Sequence, residues 1–138
     1  MGAKKRRDLR FDATFEEGAL REPWASELQP VHIDGCMLDE TVFVFAKAGT
    51  VVSADLTENF ATSPHWPTRL YLKAAGIHGK IGWPRPLRLL YRDHAATRRS
   101  LERLLSLEFD RLIVAHGDVI ARDARNAVEK TFGFLRRV

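Results

Sequence analysis

The sequence LIVAHGD, residues 112–118, decides the fold class of this chain, because an apolar run ends there at a His-Gly-Asp turn. A strand that delivers polar side chains to the edge of a sheet is a common way for α/β proteins to build a ligand or metal site. His116 and Asp118 bring an imidazole and a carboxylate to that edge. The segment therefore predicts an α/β protein, and it makes His116 the first candidate functional residue.

A β-hairpin is predicted upstream of this strand. Residues 41–45 and 50–56 are rich in β-branched and aromatic residues. Gly49 lies between them and can take the positive φ that a short loop needs. The expected strands of one mixed or antiparallel sheet are 31–33, 41–45, 50–55 and 112–115.

About three helices are predicted, which makes the fold α/β of the α+β type. The first spans 68–75 and is closed by Gly76, and the second begins after the N-cap Asp93. The third begins near Asp123 and has the clearest helical periodicity, at Ala124, Ala127, Val128, Thr131, Phe132 and Leu135. Residues 77–86, which are rich in glycine and proline, are predicted to be a surface loop.

Length and composition fit a single domain over residues 1–138. The chain is 45% hydrophobic and 29% charged, which allows an ordinary globular core. Residues 1–30 are predicted to be an irregular polar arm with apolar anchors such as Phe11 and Phe15. Residues 31–138 are expected to hold the hairpin, the helices, the last strand and the C-terminal helix.

Charge, cysteine content and apolar runs indicate which partners and which cellular compartment the chain is expected to have. The net charge of +4 is concentrated near the two ends, at residues 4–7 and 136–137, which is typical of solvated termini. The single cysteine, Cys36, excludes an intramolecular disulfide and favours a reducing compartment. No apolar run has membrane-spanning length and the N-terminus lacks the apolar core of a signal peptide, so we expect a cytoplasmic protein without a membrane partner.

Two features of the sequence suggest nucleic-acid binding as an alternative function. Trp66 and Trp83 stand beside prolines and near arginines, where exposed indoles can stack on bases. The favoured interpretation is that each indole closes the edge of a small core. A basic helix surface around Arg98 and Arg103 is most often a solvated face.

Two segments together resemble the C-terminal half of the metallo-β-lactamase-like fold, in a bacterial branch of that superfamily known only as a domain of unknown function. They are VVSADLTENF, residues 51–60, and FDRLIVAHGD, residues 109–118. The similarity runs through most of the chain, from Arg7 through Trp24 to the final helix, and it depends on order and context. The resemblance implies one half of an αββα sandwich, with a metal site between the sheet edges.

The resemblance also implies two metal ligands. The family's second-half aspartate falls on Asp55 and its last metal-binding histidine falls on His116. A carboxylate and an imidazole suit zinc, iron or manganese. Residues expected to line the pocket or to support these ligands are Asp118, Glu58, Asn59 and Cys36.

Each of these candidate residues can also have a purely structural role. His116 can be a histidine that hydrogen-bonds at a strand end, and Asp55 and Asp118 can each cap a turn. Cys36 is more typical of a small, half-buried thiol than of a soft metal ligand. The sequence assigns no catalytic residue.

The main metal motif of the family, His-x-His-x-Asp-His, is absent from these 138 residues. The five histidines stand singly, at His32, His65, His78, His94 and His116. The chain is therefore expected to be a shortened member of the family, or one whose first half a partner supplies.

Three functions remain open. The first is a metallo-β-lactamase-like protein without hydrolase activity of its own. The second is a metal-dependent hydrolase whose site is completed across a dimer or by another chain. The third is a nucleic-acid-binding module.

A homodimer or a second chain is expected to cover one face of the sheet. That face carries either Val42 and Val44 or Phe43 and Phe45. Leaving apolar surface in water costs about 25 cal/mol per Å².

Overall fold

The computed structural model describes residues 23–137 of the 138-residue chain. These residues form an α+β fold with a mixed four-stranded sheet, a two-stranded sheet and three α-helices. The strands are β1 (Leu28–His32), β2 (Thr41–Phe45), β3 (Thr50–Ser53), β4 (Glu58–Phe60), β5 (Lys80–Gly82) and β6 (Arg111–Val114). The helices are α1 (Trp66–Ala75), α2 (His94–Leu105) and α3 (Ala124–Thr131). The predicted fold class is confirmed.

The four-stranded sheet has the order β1-β2-β3-β6. The β1–β2 and β2–β3 pairs are antiparallel, and β3 and β6 are parallel. The register aligns Val51 with Leu112 and Ser53 with Val114. The expected sheet is therefore present in its mixed form, although β3 ends at Ser53 rather than at residue 55.

The helices cover one face of this sheet. Val42, Val51 and Leu112 are 0% exposed and belong to one core cluster with Leu104 of α2 and Val128 of α3. Each such side chain stabilises the fold by about 1.5–3 kcal/mol relative to the same group in water. The residues that alternate with them point to the opposite face of the sheet.

That opposite face carries apolar side chains in contact with solvent. Val52 is 40% exposed and Ile113 is 42% exposed, and the two are paired across β3 and β6. The sequence left open whether Val42 and Val44 or Phe43 and Phe45 would face the helices, and burial assigns that side to Val42 and Val44.

The connections confirm several turn and cap predictions. Gly49 has a φ of 56° in the β2–β3 connection, and Gly76 has a φ of 79° at the end of α1. Asp93 is the N-cap of α2, since its Oδ1 accepts a hydrogen bond of 2.9 Å from the backbone N–H of Ala96. Such a cap contributes about 1 kcal/mol.

The predicted loop over residues 77–86 was wrong. Lys80–Gly82 forms β5, which pairs with Glu58–Phe60 in an antiparallel ladder. Ile77 is buried with Leu72 of α1 in a small second core, and this local burial outweighs the turn tendency of the flanking glycines.

Several boundaries also differ from prediction: α1 begins at Trp66 rather than at residue 68, and β6 spans Arg111–Val114 rather than 112–115. β1 begins at Leu28, inside the segment expected to be irregular, because Leu28 and Pro30 pair with Phe45 and Phe43. Residues 1–22 of the predicted arm lie outside the described residues. The α-helix that begins after Asp123 ends at Thr131 rather than at Leu135, which is buried in a following 3₁₀ turn, Gly133–Arg137.

None of the helices within residues 23–137 has the length and apolar character that crossing a lipid bilayer requires.

Candidate functional site

Asp55 and His116 meet where two adjacent parallel strands end. Each lies two residues beyond the last residue of its strand, and these last residues, Ser53 and Val114, are paired in the parallel ladder. Nε2–H of His116 donates to Oδ1 of Asp55 over 3.2 Å. The side chains are 54% and 45% exposed, so the pair is open to solvent on one side.

Glu40 holds the backbone beneath Asp55. Its Oε1 accepts hydrogen bonds from the backbone N–H groups of Ala54, at 2.7 Å, and of Asp55, at 3.1 Å. The sequence did not predict this role, because no local spacing relates Glu40 to a turn that lies about fifteen residues later. Glu40 thus acts as a positioning residue for Asp55.

Strand β4 holds the loop that carries His116. The backbone N–H of Asn59 donates to the carbonyl oxygen of His116 at 3.0 Å, and that of Asp118 donates to the carbonyl oxygen of Asn59 at 2.6 Å. The Asn59 amide donates to the carbonyl oxygen of Asp118 at 2.8 Å, and Oδ2 of Asp118 accepts from the backbone of Ala61 at 3.1 Å. Asp118 and Asn59 therefore act as loop supports.

Gly117 allows this close approach. Its φ is 113°, and a Cβ atom added there would lie 1.9 Å from the carbonyl oxygen of Asn59. Only glycine fits this conformation and this space. Glycine at position 117 is therefore a geometric requirement of the loop.

Glu58 adds a second carboxylate beside the pair. Burial raises the pKa of Glu58, His116 lowers it, and Asp55 raises it. Glu58 therefore lies close enough to both groups to respond to their charges. The sequence placed Glu58 near the pocket without a defined role.

Cys36 is held by a different neighbour. Burial raises the pKa of its thiol, while hydrogen bonds from the Leu38 backbone and the Tyr91 hydroxyl lower it. Burial also raises the pKa of Tyr91, which is 4% exposed. This arrangement favours a structural thiol over a ligand.

The donor set fits part of a metal centre. An imidazole nitrogen and a carboxylate oxygen suit zinc, iron or manganese, but catalytic zinc sites use three protein ligands. Among residues 23–137, no group of three or more His, Cys, Asp or Glu side chains could hold a metal ion. Asp55 and His116 are therefore a donor pair that falls short of the three protein ligands of a catalytic zinc site.

The pKa of Glu40 leads to a testable pH dependence. Burial raises this pKa, two backbone N–H groups lower it, and Asp55 raises it. A carboxyl group whose pKa is raised in the folded state stabilises the protein below its ordinary pKa and loses that contribution as the pH rises through the folded value. We expect Glu40→Gln to unfold at a higher urea concentration than the wild type at pH 7, with a smaller difference at pH 4.

The control for this prediction is Glu40→Ala, which removes the acceptor for two backbone N–H groups. It should destabilise the protein by about 1–3 kcal/mol at both pH values. A glutamine variant that follows the same pH profile as the wild type would contradict the assignment.

Of the two tryptophans that stand beside prolines, one lies in the core and the other is exposed to solvent. Trp83 is 3% exposed and packs edge-on against Tyr91, with ring centroids 5.7 Å apart, as the core interpretation predicts. Trp66 is 67% exposed at the start of α1, so the core interpretation was wrong for this residue. On α2, Arg103 pairs with Asp34 at 3.1 Å and Arg98 donates to the carbonyl oxygen of Leu135, so both have partners within the protein.

The chain matches no protein-family model, and no curated protein has a significantly similar sequence.

Proposed function

We propose that the chain is a metallo-β-lactamase-like domain that keeps two metal ligands, Asp55 and His116, and does not hydrolyse a substrate by itself. The observation that supports this proposal is the 3.2 Å contact between these side chains at the ends of two parallel strands. The family's other ligands belong to a motif that is missing from these 138 residues. A reducing, cytoplasmic location is part of the proposal, because Cys36 is the single cysteine.

The supports around the pair favour a retained site over a chance contact. Glu40 fixes the turn before Asp55, and β4 fixes the loop on both sides of His116. Ligands of metal sites are held by such neighbours, whose loss typically weakens metal binding about 10–100-fold. Half of each ligand side chain nevertheless faces solvent, where further ligands would have to approach.

Calorimetric titration with Zn²⁺ tests this proposal. We expect one weak site per wild-type chain, and we expect Asp55→Ala and His116→Ala each to weaken it at least about tenfold, since each removes one of two ligands. Fe²⁺ and Mn²⁺ titrations then rank the metals.

The matched control is His65→Ala, because His65 is an exposed histidine at the N-cap of α1. It should bind Zn²⁺ as the wild type does. If all three variants titrate like the wild type, or if the wild type binds no metal, the proposed ligand pair is wrong.

A second candidate function is a metal-dependent hydrolase whose site is completed by a second copy of the chain. The exposed pair Val52 and Ile113 favours it, since these residues form an apolar patch on the open face of the sheet. Asp55 and His116 follow three residues after Val52 and Ile113, just beyond the ends of the same two strands. A copy docked there would lie next to the ligand pair and bury the same patch on both subunits.

Sedimentation velocity tests this second candidate. We expect a wild-type dimer that dissociates to monomers in Ile113→Asp, because burying an unpaired carboxylate is unfavourable. Leu89→Asp is the control, since Leu89 is 82% exposed and lies outside the sheet. A wild-type monomer at all concentrations, or equal dissociation in both variants, would exclude the shared site.

A further inference from the structure

A groove beside β5, away from Asp55 and His116, is lined by three positively charged side chains. It lies between β5 and α3, has a volume of about 440 Å³, and is lined by Lys80, Arg88 and Lys130 together with the apolar walls of Ile81 and Trp83. Arg88 and Lys130 also line an adjoining cavity of about 380 Å³. Pockets of this size are typical of small-molecule sites.

The charge of the groove is unbalanced. Its cationic side chains come from three separate elements, while Asp123 is its one acidic lining residue among those described. Oδ2 of Asp123 already accepts a hydrogen bond of 3.0 Å from the Asn126 amide. Within residues 23–137, no salt bridge joins Lys80, Arg88 or Lys130 to a carboxylate.

Arg88 is held in place without losing its hydrogen-bonding capacity. Its guanidinium carbon lies 4.7 Å from the centre of the Phe134 ring, a stacking that restricts the side chain. Its Nε atom is buried and has no hydrogen-bond partner. A planar guanidinium is suited to a bidentate contact with phosphate oxygens.

The wall of the groove suits an organic group beside the anion. Ile81 is half-buried and presents aliphatic surface, and Trp83 lies buried in the wall with its indole Nε1 without a hydrogen-bond partner. A phosphate monoester carries about 1.5–2 negative charges at neutral pH. This charge matches three cations more closely than the single charge of a carboxylate does. The same site then offers both charge and apolar contact.

We propose that this groove binds a small molecule that carries a phosphate group. The inference is independent of the metal proposal, because it uses none of the residues around Asp55 and His116. Nucleic acid is the competing ligand class, but the groove has the volume of a small-molecule site, and Trp83, which is 3% exposed, offers no indole face on which bases could stack.

Titration with phenyl phosphate, followed by calorimetry, tests the proposal. We expect saturable binding to the wild type, weakened at least about tenfold in Lys80→Ala and in Lys130→Ala, since each removes a charged hydrogen-bond donor. Both lysines are exposed, so these variants are expected to fold. Arg88→Lys should also weaken binding, because a lysine keeps the charge but cannot form the planar fork.

Arg99→Ala is the control, since Arg99 is an exposed cation of α2 that lines a different cavity. It should bind phenyl phosphate as the wild type does. Equal affinity in all variants would show nonspecific attraction to a basic protein and overturn the proposal. Binding of a single-stranded oligonucleotide without binding of phenyl phosphate would overturn it in favour of a nucleic-acid surface.

Discussion

Gly117→Ala should destabilise the protein by about 3 kcal/mol or more, because it adds a steric clash to an unfavourable backbone conformation. The φ of 113° at Gly117 is one that residues with a side chain rarely adopt, and the new Cβ would lie 1.9 Å from the carbonyl oxygen of Asn59. Relief requires the His116 loop to move away from β4, which breaks the backbone hydrogen bonds between them. Urea unfolding followed by circular dichroism measures the loss.

The control is Gly133→Ala, because a Cβ at Gly133 meets no atom within 4 Å. It should change the free energy of unfolding by less than about 0.5 kcal/mol. We also expect Gly117→Ala to lose Zn²⁺ binding under conditions in which it remains folded, since His116 moves with the loop. Equal stability of the two variants would contradict the close approach of β4 to this loop.

Leu112→Ala should cost about 2–5 kcal/mol, the range for a buried leucine whose surroundings relax only in part. Leu112 of β6 is 0% exposed in the core cluster that includes Val128 of α3, and its backbone exchanges two hydrogen bonds of 2.9 Å with Ile120. The substitution leaves the backbone ladder in place and removes only packed side-chain atoms. The same urea measurement applies.

Leu89→Ala is the chemically matched control, since Leu89 is 82% exposed. It should lie within about 0.5 kcal/mol of the wild type. A cost at Leu112 no greater than that at Leu89 would mean that β6 is not packed as described.

Local chemistry predicted much of the fold. Residues 41–45 form a strand with the predicted ends, and Asp93 caps its helix as an aspartate before an amphipathic stretch should. Errors arose where distant contacts decide the structure. β5 exists because Lys80–Gly82 pairs with β4, about twenty residues earlier, and Leu28 joins a strand because β2 offers a ladder.

In the candidate site too, the sequence predicted some residues, whereas roles that depend on distant contacts were missed. His116 was singled out by its place at a strand end and Asp55 through a family resemblance, and the two meet because the adjacent parallel strands β3 and β6 end side by side. The sequence did not predict that Glu40 would hold the turn at Asp55 or that Asn59 would hold the His116 loop. Their hydrogen-bond partners are backbone groups that only the folded chain brings near. The cationic groove joins three elements and has no signature in sequence.

The central claim is that Asp55 and His116 together bind a metal ion, and imidazole NMR tests it at the atoms concerned. Long-range ¹H–¹⁵N spectra resolve ring nitrogens, and the chain has five histidines that serve as internal references. On Zn²⁺ addition we predict a shift of the His116 ring nitrogens that is lost in Asp55→Ala, with His65 unchanged. An unchanged His116 ring, or an equal shift in the Asp55→Ala variant, would contradict the claim.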